Sequence, residues 1–372
     1  MSTLATAAIR DRIRGCLFGN AIGDAYGLAT EFMTTAMAKR LYGNGPIAFG
    51  TDPGYPVWED EHRPITDRND FTDDTDQMLV MLQSLQQTRD GILHPTNFAQ
   101  RITEWGDYGV IEIGADPGRG LGYTVGRVMS HRDFSTNPHR AAFEVWDSAG
   151  RELAPNGAVM RTAVAGVERF WDEARVVENA MAAAKITHAD PRSVVSALIS
   201  SVLISRFLRG GGLNTAEDQG RFLLQQTQVA PPSNPGQRVQ DEWVEAMESM
   251  CFPQSVKQLH LGESKSIGYT FKCIGVSYYG VTRRQDLAPT SPEYGGGEGL
   301  FRGLMEQVTI EAGDADTNCA VMGSLLGARF GLQGGIPENW WKNLQHLDWL
   351  EETIDAYADR ILADYEAHAQ TQ

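Results

Sequence analysis

Phe71-Thr72-Asp73-Asp74-Thr75-Asp76-Gln77 runs straight into Met78-Leu79-Val80-Met81-Leu82, and that junction decides the fold. Thr and Asp cap helices, and negative charge is favoured in a first turn. The apolar run behind them therefore reads as a helix starting near Thr72. One cap and one Asp complementing the dipole would suffice for that. The segment 72–76 instead carries three Asp and two Thr, and adjacent Asp73 and Asp74 repel unless a positive group sits between them and a partner.

The partner in the sequence is Gly313-Asp314-Ala315-Asp316-Thr317-Asn318, which also opens into a hydrophobic helix. Two apart, Asp314 and Asp316 share a face only in extended backbone. The spacing predicts that they lie just before the helix, with Thr317 near its first turn. With Asp73 and Asp74 they match the charge of two divalent cations. The donors are hard oxygens, which fits Mg2+, Mn2+ or Ca2+ rather than zinc. An EF-hand over Asp314, Asp316 and Asn318 fails: Cys319 stands where glycine is required and Leu325 where the bidentate glutamate belongs. GxSxG, HExxH, P-loop and paired CxxC patterns are missing.

Composition narrows the class. Lys plus Arg is 32 against 48 for Asp plus Glu, a net charge of −16. That balance repels nucleic-acid backbones and anionic membranes, so neither is an expected partner. Cys16, Cys251, Cys273 and Cys319 sit in apolar settings without metal or redox spacing. No signal-like apolar run opens the chain, and the apolar block 194–204, broken by serines, is too short to span a bilayer. The expectation is a soluble, cytoplasmic protein.

Helical periodicity recurs from end to end, and no alternation is convincing enough for a sheet, so the fold class is all-α. Helices are predicted over 6–27, 72–88, 95–105, 159–185, 191–209, 215–229, 241–250, 300–310 and 317–330, with further helices from Glu338 onward. The segment 269–281 reads as either helix or strand. Gly15, Gly19 and Gly23 cost a helix about 1 kcal/mol each relative to Ala, so something approaches that backbone closely, either another helix or a ligand-bearing loop. One domain is expected, with insertions near 41–70 and 225–259. The Pro-rich loop 41–70 is a candidate rim over the site.

The segments 15–32, Thr72-Asp73-Asp74-Thr75, 118–124, 156–161, Thr187-His188, 313–318 and Ile336-Pro337-Glu338-Asn339-Trp340 stand in the order found in the ADP-ribosylglycohydrolase family. The chain resembles that family over almost its whole length. The resemblance implies a compact all-α enzyme with a binuclear Mg2+ or Mn2+ centre. Its substrate would carry ADP-ribose, linked to a protein side chain or a small molecule through a glycosidic bond. Carried over, it implies Thr72, Asp73, Asp74, Asp314, Asp316 and Thr317 as metal ligands, with Glu31 over the metals and Asp24 either supporting them or purely structural. Asp73, Asp74, Glu31 and Asp314 are the candidate catalytic carboxylates. Gly118, Gly120 and Gly122 match a loop near the distal ribose. Asn156, Gly157, Ala158 and Met160 match a cradle for ribose and diphosphate, and His188 a residue near the phosphates. Asp70-Phe71 departs from the family's usual Gly-Trp. Tyr123, Phe134 and Tyr278 are candidates to stack on adenine. Two rival readings keep the scaffold: a non-catalytic ADP-ribose-binding or structural protein, and a phosphohydrolase acting on ADP-ribose phosphate.

Overall fold

Gly15, Gly19, Gly23 and Gly27 fall every fourth residue, so on a helix they form one bare line. The computed structural model describes residues 4–51, 60, 68–213, 215–228, 240–282 and 297–371. In it these glycines lie in the helix α1 (Thr6–Gly27). The chain continues through α2 (Thr35–Tyr42), α3 (Asp73–Thr88), α4 (Pro95–Tyr108), α5 (Tyr123–Met129), α6 (Pro138–Ser148), α7 (Ala163–Val167) and α8 (Glu173–Lys185). It ends with α9 (Pro191–Leu208), α10 (Ala216–Gln228), α11 (Asp241–Cys251), α12 (Thr270–Thr282), α13 (Gly297–Glu311), α14 (Ala315–Phe330), α15 (Glu338–Trp341) and α16 (Leu347–Thr371). Only isolated bridges of β type occur among the described residues. The fold is all-α.

The glycine line of α1 meets the backbone of α14, Gly15 against Gly327, Gly19 against Gly323, Gly23 against Cys319 and Gly27 against Ala315. The two helices are thus antiparallel and in near backbone contact. Of the two sequence readings, the packed helix is the right one. The antiparallel sense sets the C-terminal end of α1 beside the start of α14, and so brings Asp24 and Glu31 to Asp314 and Asp316.

Around this pair α9 is buried almost throughout. Asp190 caps it by accepting from the Arg192 N–H at 2.8 Å, with Pro191 following at the first position. Counted whole, its 18 residues are long and apolar enough to cross a membrane, more than the 194–204 block suggested, but 89% of them are buried inside the chain. α16 is held to α1 by Arg10 with Asp359 and by Arg14 with Glu351 and Asp355.

Two expectations need correction, and one open reading is resolved. The stretch 159–185 is two helices, because Glu168 leaves the helical path to meet Arg360 at 2.5 Å and Tyr357 at 3.0 Å. Arg169 then takes φ +54, and Asp172 caps α8 by accepting from the Arg175 N–H. The ambiguous 269–281 is α12. It is buried on every side, and a helix apolar all round carries no periodicity to read. α14 begins at Ala315, so Asp316 already lies in its first turn. Much of the predicted insertions, residues 52–59, 61–67 and 229–239, lies outside the described residues.

A methyl group at Gly19 would overlap the carbonyl oxygen of Gly323, whereas one at Gly220 in α10 meets nothing. Gly19→Ala should therefore destabilise by about 1–3 kcal/mol, as overpacking does. Gly220→Ala should stabilise by about 0.5–1 kcal/mol through helix propensity. Urea unfolding of the two variants reads both signs; equal effects would contradict the backbone contact.

Candidate active site

Asp24 sits one turn from the end of α1, fully buried, with its carboxylate against the start of α3. It accepts from the N–H and hydroxyl of Thr72 at 3.0 and 2.8 Å, and from those of Thr75 at 3.0 and 2.6 Å. The orphan N–H groups of α3 are thus capped from another helix. Neither Thr72 nor Asp314, the residues at the N-cap positions of α3 and α14, makes a side-chain cap bond of its own. Capping does not explain the acidic clusters.

The two helix starts converge. Thr317 Oγ1 donates to Asp74 Oδ2 at 3.2 Å, joining α14 to α3. After α1 the chain turns through Phe32, whose backbone takes φ +57. The Phe32 N–H donates to Gly313 O and the Gly313 N–H to Met33 O, which lays Glu31 alongside. Carboxylate oxygens of Asp24, Asp74 and Asp316 come within 4.8 Å of one another, and so do those of Glu31, Asp314 and Asp316. Asp316 belongs to both trios, and Asp73 to neither.

Burial pushes Asp24 and Asp314 up to about 6. It raises Asp73, Asp74 and Asp316 well above the carboxylate range, and the neighbouring carboxylates add to the rise. Asp74 Oδ1 and Asp316 Oδ1 are buried without a hydrogen-bond partner. Unpaired buried anions are costly, and divalent cations are the natural complement to this all-oxygen set. The residues fit a metal centre.

Above the cluster lies a cavity of about 560 Å3. Of the residues proposed from the sequence to meet the substrate, Gly120, Gly122, Asn156, Gly157, Met160 and His188 line it. Gly118 and Ala158 do not. Gly118 serves a turn at φ +56 facing Gly106, and Ala158 is wholly buried. A side chain at Gly120 would collide with Asp73, so the loop backbone can lie on the carboxylate only because that residue is glycine. Asn156 Nδ2 donates to Asp314 Oδ2 at 2.8 Å.

The glycine loop is fixed by Arg119. Its guanidinium donates to both oxygens of Asp76 at 2.9 Å and to Asp70 at 2.7 Å, and stacks 5.2 Å from the Phe71 ring centre. Trp105 Nε1 also donates to Asp76, at 3.0 Å. The third Asp of the opening motif therefore anchors a loop, and the unusual Asp70 completes its clamp.

Of the adenine candidates, Tyr123 is at the cavity, while Phe134 and Tyr278 are core residues. The segment 265–269 also lines the cavity, with Gly268 at φ +74 tucked against Asp314 and Tyr269 beyond it. Sequence reasoning missed it, and the lone glycine ahead of α12 was the available signal.

A family model described as ADP-ribosylglycohydrolase matches residues 5–370. The chain belongs to the ADP-ribosylglycohydrolase family. It is accordingly an enzyme of the class that hydrolyses glycosidic bonds to ADP-ribose. It is 25% identical to the ADP-ribosyl-[dinitrogen reductase] glycohydrolase of Rhodospirillum rubrum, over 96% of this chain and 97% of that protein. It is 24% identical to ADP-ribosylhydrolase ARH3 of Homo sapiens, over 90% and 89%. A solved ADP-ribosylglycohydrolase-related protein complex superposes with a TM-score of 0.63 at 22% identity, covering 95% of this chain and 99% of that one, which shows the shared fold. In this member of the family, Arg119→Met should cost about 3–5 kcal/mol of stability by leaving Asp76 buried without its partner. A loss below about 1 kcal/mol in chemical denaturation would refute the clamp.

Proposed function

We propose that the chain hydrolyses the glycosidic bond between ADP-ribose and an acceptor, using two divalent cations, Mg2+ or Mn2+, held among the carboxylates. The observation that carries this reading is the buried, unpartnered pair Asp74 Oδ1 and Asp316 Oδ1, each within a carboxylate trio. Asp24, Asp74 and Asp316 would hold one cation, and Glu31, Asp314 and Asp316 the other. Thr72, Asp73 and Thr317 complete the set at its edge. Hard cations bound there supply charge neutralisation and Lewis acidity toward hydroxyl groups and water.

The chain's own groups do the rest. A cavity of about 560 Å3 falls within the usual range for small-molecule sites. The bare backbone at Gly120 and Gly122 leaves room for a ribose against Asp73. His188, kept neutral by burial and by Arg161, faces the same cavity with Asn156 and Gly157, a wall suited to a diphosphate. Hydrolysis adds the hydroxyl of water to the anomeric carbon, breaks the bond to the acceptor and passes the water's other proton, by way of a carboxylate, to the departing acceptor. Glu31 and Asp73, on the cavity wall, are the candidates for that base. The names of the relatives support an ADP-ribosylated protein as the substrate class.

Incubation with arginine-, serine- and phosphate-linked ADP-ribose, with and without Mg2+, tests the reading. Metal-dependent release of ADP-ribose supports it. Binding without turnover, or release of inorganic phosphate alone, would replace it with one of the two rivals. Asp314→Ala should lower turnover by about a hundredfold or more and remove one cation in calorimetric titration, leaving the helical circular dichroism intact. Asp316→Ala should remove both.

A further inference from the structure

Arg161 is a wholly buried cation that touches neither the cavity nor the carboxylate trios, yet it is bonded toward both. Its Nη1 donates to Gln77 Oε1 at 2.8 Å, and Gln77 Nε2 donates to Asp73 Oδ2 at 2.9 Å. Its Nη2 donates to Ala183 O at 3.1 Å and to Thr187 Oγ1 at 2.5 Å, and Thr187 Oγ1 lies 2.8 Å from His188 Nδ1.

A guanidinium has donors only, and a hydroxyl has one proton. Both facing groups must therefore accept from Arg161, which fixes the orientation of the Gln77 amide. The Gln77 amide turns its NH2 to Asp73, so Asp73 Oδ2 accepts. Thr187 Oγ1 accepts from Arg161, and the one acceptor its own proton meets among the described residues is His188 Nδ1, so the proton goes there. The remaining imidazole proton then belongs to Nε2. A side chain at Gly157 would come within 3.1 Å of that atom, so it is glycine that keeps this edge clear toward the cavity. Burial and the Arg161 charge keep the ring neutral.

We propose that Arg161, through Thr187, is a positioning residue that locks His188 as an Nε2–H donor aimed at an anionic oxygen of the ligand. Through Gln77 it simultaneously holds Asp73 as an acceptor. The ligand half of this inference rests on the proposed function, with ADP-ribose diphosphate as the anion; the tautomer half does not. The arrangement lets a carboxylate-rich site present a neutral donor to a phosphate at His188.

Nitrogen-15 spectra of histidine-labelled protein without ligand decide the tautomer, with the His188 signals assigned by their loss in His188→Gln. The expected spectrum has Nδ1 unprotonated and Nε2 protonated. Thr187→Val should erase that preference and Thr187→Ser should keep it. In calorimetry with free ADP-ribose and magnesium, Thr187→Val should bind about tenfold more weakly, the scale of one hydrogen bond to a charged group. His188→Gln, whose amide NH2 replaces the Nε2 donor, should bind better than His188→Ala. A proton on Nδ1 in the unsubstituted protein, or an unchanged tautomer in Thr187→Val, overturns the relay whether or not the variant binds. If the spectra come out as expected but the unsubstituted protein does not bind ADP-ribose, the relay stands and the functional reading fails.

Discussion

Backbone contact between α1 and α14 is the constraint on which the rest of the structure depends. Two helices can come this close only where side chains are missing, and the glycine line of α1 supplies that from Gly15 to Gly27. Because the contact is antiparallel, the end of one helix and the beginning of the other share a plane. Asp24, Glu31, Asp314 and Asp316 are gathered there by geometry alone. α3 joins through the Asp24 carboxylate, which caps it in place of any residue of its own.

The gathered carboxylates oppose folding. Their carboxylates are all buried, neighbouring carboxylates add to the rise at Asp74 and Asp316, and Asp74 Oδ1 and Asp316 Oδ1 find no partner. The surrounding structure absorbs the cost by rigid neutral support rather than by nearby cations. Asn156 faces Asp314, Gln77 faces Asp73, and threonines face Asp24 and Asp74. The two arginines of this region, Arg119 and Arg161, stand behind the wall. Such an arrangement leaves the negative potential open to whatever positive group enters the cavity.

Much of this was legible in the sequence, and the gaps have physical causes. The acidic helix starts and the glycine line are local patterns, so α1, α3 and α14 could be read directly. The role of Asp24 could not, because a cap supplied by another helix leaves no mark near the helix it caps. The break at Glu168 was hidden for the same reason: its partners Tyr357 and Arg360 lie 189 and 192 residues further along the sequence. Gly118, Gly120 and Gly122 look alike in one dimension, but only the last two face the cavity. The 265–269 wall and the misplaced aromatic candidates, Phe134 and Tyr278, show the general limit: which apolar residue ends in a core and which at a cavity is decided by packing, not by composition.

The pairing of α1 with α14 also shapes the birth of the protein. During synthesis α1 leaves the ribosome long before α14, with a grooved, small-residue face whose complement is α14. Contacts between such distant segments form late. The glycine face of α1 must therefore wait uncovered until α14 has been made. An enzyme built this way completes its carboxylate centre only when α14 arrives, and a fragment ending before α14 would keep the Asp24 cap on α3 but lack Asp314 and Asp316.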